Sequence, residues 1–247
     1  MWRVIPTQAH DAFTNMGLEE ACLEAVAKGE SPPTFRFYRW QKSAVVIGYF
    51  QALALAVNLA ECKKRAIDVT RRKTGGGACY LDAAGELTYS IVVPENFYSK
   101  DITYSYQELC GWIVQGLKSL GLNASFRPIN DVVVDGKKIS GNAQTRRKGV
   151  ILHHGTLLYD LNPELMFSVL RIPRQKMLDK VSDQPDKAVT CIKRLGDFSL
   201  AAVEAALTKA FLQGKEWQVA DWTEQEKARA QELASTCYQQ QEWIAQR

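Results

Sequence analysis

The sequence predicts an α+β fold in which a mixed, largely antiparallel sheet is packed with helices. Amphipathic segments with the helical period of 3.6 residues occur together with short apolar or alternating runs that are typical of strands. Three strand-like runs follow one another closely in the middle of the chain, which favours an antiparallel meander. No Gly/Ser-rich or Pro-rich linker divides the 247 residues, so we expect a single domain over residues 1–247.

In the first half of the chain the pattern predicts a strand at 2–6, a helix at 14–28, strands at 35–40 and 44–50, a helix at 59–65 and an extended segment at 67–72. Gly29, followed by Pro32 and Pro33, ends the first helix. The strand at 44–50 is a continuous apolar run broken at Gly48. A hairpin is the simplest interpretation of the strands at 35–40 and 44–50.

In the second half the pattern predicts a strand at 87–93, a helix at 104–120, strands at 132–134, 138–145 and 150–158, and helices at 164–170, 200–212 and 223–234. Asp135-Gly136 is a strong hairpin dipeptide, and Lys148-Gly149 is a weaker turn signal. The last helix begins with a capping box from Thr223 to Glu226.

Composition excludes several classes of protein. The chain is 46% hydrophobic and 23% charged, with a net charge of +4, which is ordinary for a globular protein and does not by itself indicate nucleic acid. No signal peptide precedes the first strand, and no apolar stretch approaches eighteen residues, so we expect a soluble, cytoplasmic protein without a membrane partner. Neither a zinc site nor a disulfide framework is suggested by the scattered cysteines Cys22, Cys62, Cys79, Cys110, Cys191 and Cys237.

Two distant glycine-rich basic segments predict an anion pocket. In the first, Arg71, Arg72 and Lys73 lead through Thr74 into three glycines at 75–77. Backbone N–H groups without side chains approach phosphates or carboxylates closely, and the adjacent cations supply countercharge. The second segment, Gly136 to Gly141, carries Lys137 and Lys138. The sequence patterns of a Walker phosphate loop and of a dinucleotide fingerprint are both absent.

Each of these features has a simpler explanation when taken alone. Isolated glycines favour a flexible turn, but three adjacent cations would repel one another there unless an anion or acidic groups were near. Lys138 alone favours a solvated lysine at the start of a strand. Asn130 and Asp131 stand at the entry to a strand, where an aspartate caps a turn or holds magnesium between phosphate oxygens. The residues alone leave these alternatives open.

Five segments, taken in this order, resemble the lipoate-protein ligases, whose catalytic domain shares its fold with biotin protein ligases and with octanoyl and lipoyl transferases. They are 35–38 leading to 48–51, 71–78, 130–132, 136–141 and 153–158. The resemblance covers most of the chain and implies a biotin/lipoate protein ligase-like catalytic domain. It also implies an enzyme that condenses lipoate with ATP to lipoyl-AMP and then acylates a lysine of a lipoyl carrier domain, such as an E2 domain or an H protein.

The resemblance implies a role for specific residues. Lys138 is the expected catalytic residue, because the matching lysine contacts both the carboxylate and the phosphate, and Arg72 is expected to assist it in screening their repulsion. Asp131 is expected to help place Mg²⁺. The residues expected to bind ATP and the adenylate are Arg72, Thr74, Gly75, Gly76, Gly77, Ala78, Cys79, Tyr80, Asn130, Asp131, Lys138 and Gly141. Those expected to bind lipoate are Phe35, Tyr38, Val46, Gly76, Lys138 and His154.

The chain departs from the family pattern in two places. Many ligases have His-Asp shortly after the three glycines, whereas this chain has Leu81-Asp82, which leaves the choice of substrate open. The chain also reaches Arg247 without the small additional domain of single-chain bacterial ligases, which resembles archaeal-type ligases that use a separate small protein. We therefore expect a small accessory subunit as a partner.

The alternative of the same fold is a transferase that takes octanoate from acyl carrier protein through a cysteine thioester, without ATP. The run from Ser140 to Arg146 resembles such transferases closely. In them the nucleophile falls in an insertion before the lysine strand, whereas residues 126–134 of this chain contain no cysteine and keep Asn130-Asp131. On this ground the ligase is the main interpretation, and Cys79 is interpreted as a structural residue.

A non-catalytic module that binds RNA or an acidic protein is a more distant alternative. Charge runs such as 146–148 are usually solvated faces, and no aromatic RNA-binding signature accompanies them, so no nucleic-acid partner is expected. His153 and His154 are adjacent on a strand and point to opposite faces, so at most one of them reaches any shared ligand.

Overall fold

A computed structural model describes residues 1–171 and 188–247, and in these ranges the chain forms two sheets covered by helices. The larger sheet contains β1 (Trp2–His10), β2 (Thr34–Trp40), β6 (Glu86–Pro94), β7 (Ala124–Arg127), β8 (Asp131–Val134), β9 (Lys137–Arg147), β10 (Val150–Leu158) and β11 (Trp217–Val219). The smaller sheet contains β3 (Ala44–Ile47), β4 (Asp68–Arg71) and β5 (Cys79–Leu81).

The described helices surround these sheets. They are α1 (Ala12–Ala27), α2 (Leu53–Ala56), α3 (Leu59–Lys64), α4 (Ile102–Ser119), α5 (Pro163–Val169), α6 (Leu200–Leu212), α7 (Glu224–Leu233) and α8 (Gln241–Ile244). Short 3₁₀ turns occur at Glu95–Phe97 and Ile192–Arg194, and a π-helical turn at Ala234–Tyr238 follows α7. Among the described helices, none is long and apolar enough to cross a membrane.

The larger sheet is mixed and largely antiparallel, as the sequence predicts. Its strand order is β11-β1-β2-β6-β10-β9-β8-β7, with β1 parallel to both β11 and β2 and the remaining pairs antiparallel. On one face, α4 and α6 pack through aromatic and aliphatic side chains onto β2, β6 and β10. On the other face, α1 and α7 pack together with one side of the smaller sheet. The sheet is therefore covered on both faces.

The smaller sheet lies between two hydrophobic clusters. Its order is β4-β3-β5, so β5 is an edge strand. Val46 of β3 packs into the cluster with α1, whereas its neighbours Val45 and Ile47 pack into a separate cluster with α2, α3 and α5. This is the alternation expected of a strand that is buried on both faces.

Most of the expected elements are present, but the hairpin of residues 35–40 and 44–50 is wrong. β2 pairs with β1 and β6 in the larger sheet, and β3 pairs with β4 and β5 in the smaller one. The three residues between β2 and β3 carry the chain from one sheet to the other. Local pattern identified both strands but contained no information on their long-range partners.

The turn and cap signals are confirmed. Asp135 and Gly136 have φ values of 49° and 77°, as a two-residue type I′ hairpin turn requires, and the β8–β9–β10 meander follows. Thr223 accepts a hydrogen bond from the Glu226 amide at 3.1 Å, and the Glu226 carboxylate accepts one from the Thr223 amide at 2.9 Å. The capping box therefore starts α7 at the predicted position.

Candidate active site

Lys138 reaches the candidate site through a β-bulge in β9. Register runs from Gly141 opposite Asp131 and Ser140 opposite Val132 to Lys138 opposite Val133, so Ile139 is the extra residue. Ile139 consequently packs into the core with Val132 and Val134 of β8. Lys138 and Gly141 are an odd number of residues apart, and the bulge brings them onto the same face of the sheet. The absence of a side chain at Gly141 matters here, because a Cβ would stand 2.8 Å from the Lys138 Nζ.

Asp131 holds the Lys138 ammonium in place. Its Oδ1 lies 2.5 Å from the Lys138 Nζ, and its Oδ2 accepts a hydrogen bond from Arg127 at 2.9 Å. The described residues contain no cluster of three His, Cys, Asp or Glu side chains suited to a metal ion. A carboxylate already shared by two cations does not fit the magnesium role expected for Asp131, and we derive no step through a metal.

The two distant segments meet around one cavity of about 660 Å³. A volume of this size lies within the range of small-molecule sites, roughly 300–1,000 Å³. The expected site residues that line it are Tyr38, Val46, Arg72, Gly76, Gly77, Ala78, Cys79, Tyr80, Asn130, Asp131, Lys138, Gly141 and His154. The geometric part of the sequence prediction, that the triple glycine and the Lys138 segment face each other, is therefore confirmed.

The deep end of the cavity is apolar and buried. Met16 of α1, Tyr38 and Trp40 of β2, Val46 of β3 and Leu81 of β5 line it, and each is at most 3% exposed. Leu81, which stands where many ligases have histidine, thus adds an apolar wall. The floor continues across β6 and β10 to β9, because Tyr38 pairs with Thr88, Thr88 with Thr156, and Thr156 with Gly141.

Phe35 does not line this cavity. It lies an odd number of residues from Tyr38 on the same strand, so its ring points to the opposite face of the sheet. There it stacks on Phe211 of α6 with ring centroids 4.0 Å apart, inside the main core. The expected lipoate contact is therefore wrong for Phe35, whereas Tyr38 and Trp40 do reach the cavity.

Only one of the three consecutive cations before the glycines borders the cavity. Arg71 is fully buried and donates hydrogen bonds to backbone carbonyls of Gly48 and Ile244, among others, which ties β4 to α8. Lys73 pairs with Glu20 at 3.3 Å. The countercharge expected from the whole run thus reduces to Arg72.

Arg72 is itself committed to the protein backbone. It is 5% exposed and donates hydrogen bonds to the carbonyls of Val46 (3.0 Å), Gly75 (2.7 Å) and Gly77 (2.8 Å). Its Nε donates to the Thr74 hydroxyl at 3.0 Å. Four of the five N–H groups of its guanidinium therefore have protein partners. Arg72 shapes the glycine turn more than it offers free charge to a ligand.

Gly76 shows why the turn needs glycine. Its φ of 95° lies where side chains are strained, and an added Cβ would stand 2.9 Å from the Arg72 Nη2. Gly76 and Gly77 are exposed at the mouth of the cavity. Thr74 is completely buried behind the turn, and Thr74 and Gly75 do not line the cavity, so their expected ligand contacts are not direct ones in this arrangement.

The two histidines of β10 face opposite ways, as expected. His154 borders the cavity, and its Nδ1 lies 2.8 Å from a carboxylate oxygen of buried Glu19. Burial alone raises the pKa of Glu19, but His154, Arg36 and the Tyr38 hydroxyl outweigh it and hold that pKa below its usual value. His153 is buried on the other face, where desolvation, reinforced by His154, lowers its pKa to about 3.

Several lining residues were missed by sequence reasoning. Glu86 and Thr88 lie on one face of β6, Thr156 and Leu158 are on the paired strand β10, and Phe167 lies on α5. Strand alternation could have identified those on β6 and β10, because every second residue of a strand lies on the same face, and Tyr38 and His154 already indicated which face is toward the cavity. Glu86 is the most unusual of them, because burial raises its pKa well above the ordinary value although Thr156 donates a hydrogen bond to it.

Cys79 is the cysteine that borders the cavity. It is half-buried, and its Sγ lies 3.7 Å from the Gly77 carbonyl oxygen. The other five cysteines lie outside the cavity lining, and all six are unpaired thiols. A thiol therefore borders the cavity, at the edge strand β5.

Comparison with known proteins places the chain in a family. Residues 11–212 match the family model of the lipoyl protein ligase A/B catalytic domain. The chain belongs to this family. A bipartite lipoate protein ligase of Thermoplasma acidophilum, studied with its E2 lipoyl domain, superposes with a TM-score of 0.85 at 32% identity and covers 99% of this chain and 96% of its own. A lipoate-protein ligase A solved with bound ATP gives a TM-score of 0.84 at 29% identity, with 98% of each chain covered.

The curated relatives correct the ligase interpretation. The octanoyltransferase LipM of Brevibacillus brevis is 33% identical over 275 aligned positions, which cover 100% of this chain and 99% of that protein. Further relatives at 34% and 31% identity have the same name. The main interpretation of an ATP-dependent lipoate ligase is therefore wrong, and the alternative of an octanoyl transferase is favoured. The separate small subunit was predicted for an adenylating enzyme, so its basis falls with that interpretation.

Proposed function

We propose that this enzyme transfers an octanoyl group from a thioester donor to a lysine of a lipoyl carrier domain, without ATP. The observation that carries the proposal is a cavity that combines an apolar, buried deep end with the Lys138 ammonium. The name of the full-length relatives supports the octanoyl group and the transferase chemistry. The lipoyl carrier as acceptor is supported by the E2 lipoyl domain studied with the Thermoplasma neighbour.

The size of the floor suits an eight-carbon chain. From Gly141 to Tyr38 it crosses four adjacent strands, β9, β10, β6 and β2, a distance of about 14 Å at the ordinary strand spacing. An extended octanoyl chain is about 9 Å long at standard bond lengths. With its carbonyl beside Lys138, an octanoyl chain fits within this length and extends toward the apolar end at Tyr38, Trp40 and Val46 without filling it. The mouth at Gly76 stays free for the thioester donor and the lipoyl carrier.

Lys138 is the proposed catalytic residue. The carrier lysine amine attacks the thioester carbonyl carbon, a C–N bond forms, and the C–S bond breaks with its electron pair leaving on sulfur. The thiolate takes up the proton that the amine releases. Negative charge builds on the carbonyl oxygen at the tetrahedral stage, and the Lys138 ammonium, held by Asp131, is positioned to stabilise it.

Cys79 allows the same net reaction in two steps. Its thiolate would accept the octanoyl group from the donor and pass it to the carrier lysine, with one thioester exchanged for another before the amide forms. Intact mass of the enzyme after mixing with donor alone separates the two routes. An added octanoyl group that is lost in Cys79→Ser supports the two-step route, and an unmodified enzyme with active transfer supports direct attack.

The experiment that tests the function mixes the enzyme with an octanoyl thioester and a purified lipoyl domain, once with ATP and once without it. We expect the lipoyl domain to gain the mass of one octanoyl group at equal rates in both cases. A carrier with its target lysine replaced by arginine is the control and stays unmodified. Transfer that requires ATP contradicts the proposal.

The unpaired state of all six cysteines suits a reducing compartment, and we propose a cytoplasmic location on that ground.

A further inference from the structure

A chain of hydrogen bonds connects α1 to the glycine turn behind the cavity. Glu19, which is 3% exposed, accepts from His154 Nδ1 at 2.8 and 3.0 Å through its two carboxylate oxygens. His154 Nε2 lies 2.7 Å from the Thr74 hydroxyl, and that hydroxyl lies 3.0 Å from Arg72 Nε. Every link in this chain is buried, so water does not compete for it.

Donor and acceptor in each of these hydrogen bonds can be assigned from Arg72 at one end of the series and Glu19 at the other. A guanidinium only donates, so the Thr74 oxygen accepts from Arg72. The hydroxyl proton then has His154 Nε2 as its acceptor among the described contacts, and the remaining imidazole proton is on Nδ1, where it donates to Glu19. A proton on Nε2 would leave the Thr74 hydroxyl proton without an acceptor among these contacts, so the hydrogen bonds favour the neutral tautomer of His154 with its proton on Nδ1.

The far end of the chain is the turn itself. The same Arg72 that donates to Thr74 holds the carbonyls of Gly75 and Gly77 at 2.7 and 2.8 Å. Gly76 and Gly77 border the mouth of the cavity opposite Lys138. Loss of the Thr74 hydroxyl removes one anchor of the guanidinium, and the guanidinium is what connects the carbonyls of the turn.

We propose that Glu19, His154 and Thr74 are positioning residues, which fix Arg72 and through it the shape of the glycine turn. In this role His154 does not exchange protons with the substrate. It acts by holding Thr74 and Arg72 rather than by binding the acyl group, which was the role expected for it from the sequence. The kinetic part of the proposal rests on the acyl transfer proposed above. The tautomer part rests on the geometry alone.

The kinetic test compares three valine and serine variants. Thr74→Val removes the hydroxyl, Thr74→Ser keeps it, and Thr70→Val is the matched control, because Thr70 is also completely buried and donates its hydroxyl to the Tyr238 carbonyl away from the cavity. We expect Thr74→Val to lower kcat for octanoyl transfer about tenfold to a hundredfold with little change in KM for the carrier. Thr74→Ser restores kcat, and Thr70→Val keeps it.

The spectroscopic test needs no variant and no activity. In the wild-type protein, ¹⁵N and ¹H NMR of the imidazoles should show His154 with a protonated Nδ1 and an unprotonated, pyridine-like Nε2. A protonated Nε2 overturns the proposal, as does equal loss of kcat in Thr74→Val and Thr70→Val. If the wild-type protein transfers no octanoyl group at all, the proposed function fails, while the NMR result still decides the tautomer.

Discussion

Lys138 owes its position to its neighbours as much as to its own strand. The bulge at Ile139 turns it toward the cavity, Gly141 leaves room for its ammonium, and Asp131 holds the charge. The sequence predicted Lys138 through a family motif, but the bulge that brings Lys138 and Gly141 onto one face could not be predicted from strand alternation. Parity alone would have put the two residues on opposite faces.

Replacing Lys138 with methionine tests its role directly. The side chain keeps an unbranched stem of nearly the same length and loses the ammonium, so stabilisation of the carbonyl oxygen is lost and kcat for octanoyl transfer should fall at least about a hundredfold. Steady-state kinetics with the octanoyl thioester and the lipoyl domain measure this. Lys137→Met is the matched control, since Lys137 is exposed and lies outside the cavity lining. Activity of Lys138→Met within about threefold of wild type contradicts the assignment.

Phe35 shows where prediction at the residue scale fails. The aromatic character of β2 correctly indicated a wall for an apolar ligand, but the family resemblance did not say which face each ring takes. Tyr38 and Trp40 face the cavity, while Phe35 stacks on Phe211 in the core. Counting residues along the strand from Tyr38 would have separated them.

At the scale of elements, a buried ion pair connects the first strand to a late helix. Arg3 of β1 donates to both carboxylate oxygens of Glu226, the capping-box residue of α7, at 2.7 and 2.6 Å. Both side chains are at most 4% exposed, and Ser31 donates to the same carboxylate at 2.9 Å. The cap of α7 and its attachment to the sheet therefore depend on one carboxylate.

Arg3→Met should destabilise the protein strongly, because it leaves the Glu226 carboxylate buried without its cation. We expect a loss of about 3–5 kcal/mol in the free energy of unfolding. Urea denaturation followed by circular dichroism measures the loss. Lys227→Met, at a partly exposed position of α7, removes ion pairs to Asp221 and Glu224 that solvent already screens, and should cost far less than Arg3→Met. Equal losses in the two variants would show that burial of the pair is irrelevant.

Local sequence pattern could not predict that β2 and β3 belong to two different sheets. Both strands were predicted within a few residues of their observed bounds, and only their pairing was wrong. The partners of β2 are β1 and β6, and β6 lies about fifty residues later in the chain. The meander of β8, β9 and β10 was predictable because its pairing is local and its turns carry their own signal.

The free energy of unfolding of the whole protein should depend on pH through Glu86. Burial raises the folded-state pKa of Glu86 above that of the unfolded chain, with Asp82 adding to the effect. The stability that Glu86 contributes is then complete below the unfolded pKa of about 4.3 and is lost as pH rises through the folded pKa. Glutamine does not titrate, so the stability of Glu86→Gln relative to wild type should increase as pH rises.

Urea denaturation of both proteins between about pH 4 and about pH 8 checks this prediction. Glu164→Gln, at an exposed position of α5, is the control and should follow wild type across the range. If the difference in the free energy of unfolding between Glu86→Gln and wild type does not change with pH, the pKa of Glu86 is not raised in the folded state, and the prediction is contradicted. A difference that falls as pH rises has the wrong sign and contradicts the burial argument.

Function at the whole-molecule scale was only partly predictable. The family, the fold and the meeting of the two glycine-rich segments followed from motifs that span most of the chain. The reaction did not follow, because the ligase interpretation depended on a missing cysteine and on Asn130-Asp131, and full-length octanoyltransferase relatives outweigh both. A cavity with an apolar deep end and the Lys138 ammonium suits an acyl group whether it is activated as an adenylate or as a thioester.

The central claim, that the acyl group arrives already activated as a thioester, is tested most directly by one competition. The enzyme receives a lipoyl domain, unlabelled octanoyl thioester, ¹³C-labelled free octanoate and ATP together, and intact mass of the lipoyl domain reports the source of its acyl group. We predict a product that carries only the unlabelled octanoyl group. A product that carries the ¹³C label would contradict the account, because free acid enters only after activation by ATP.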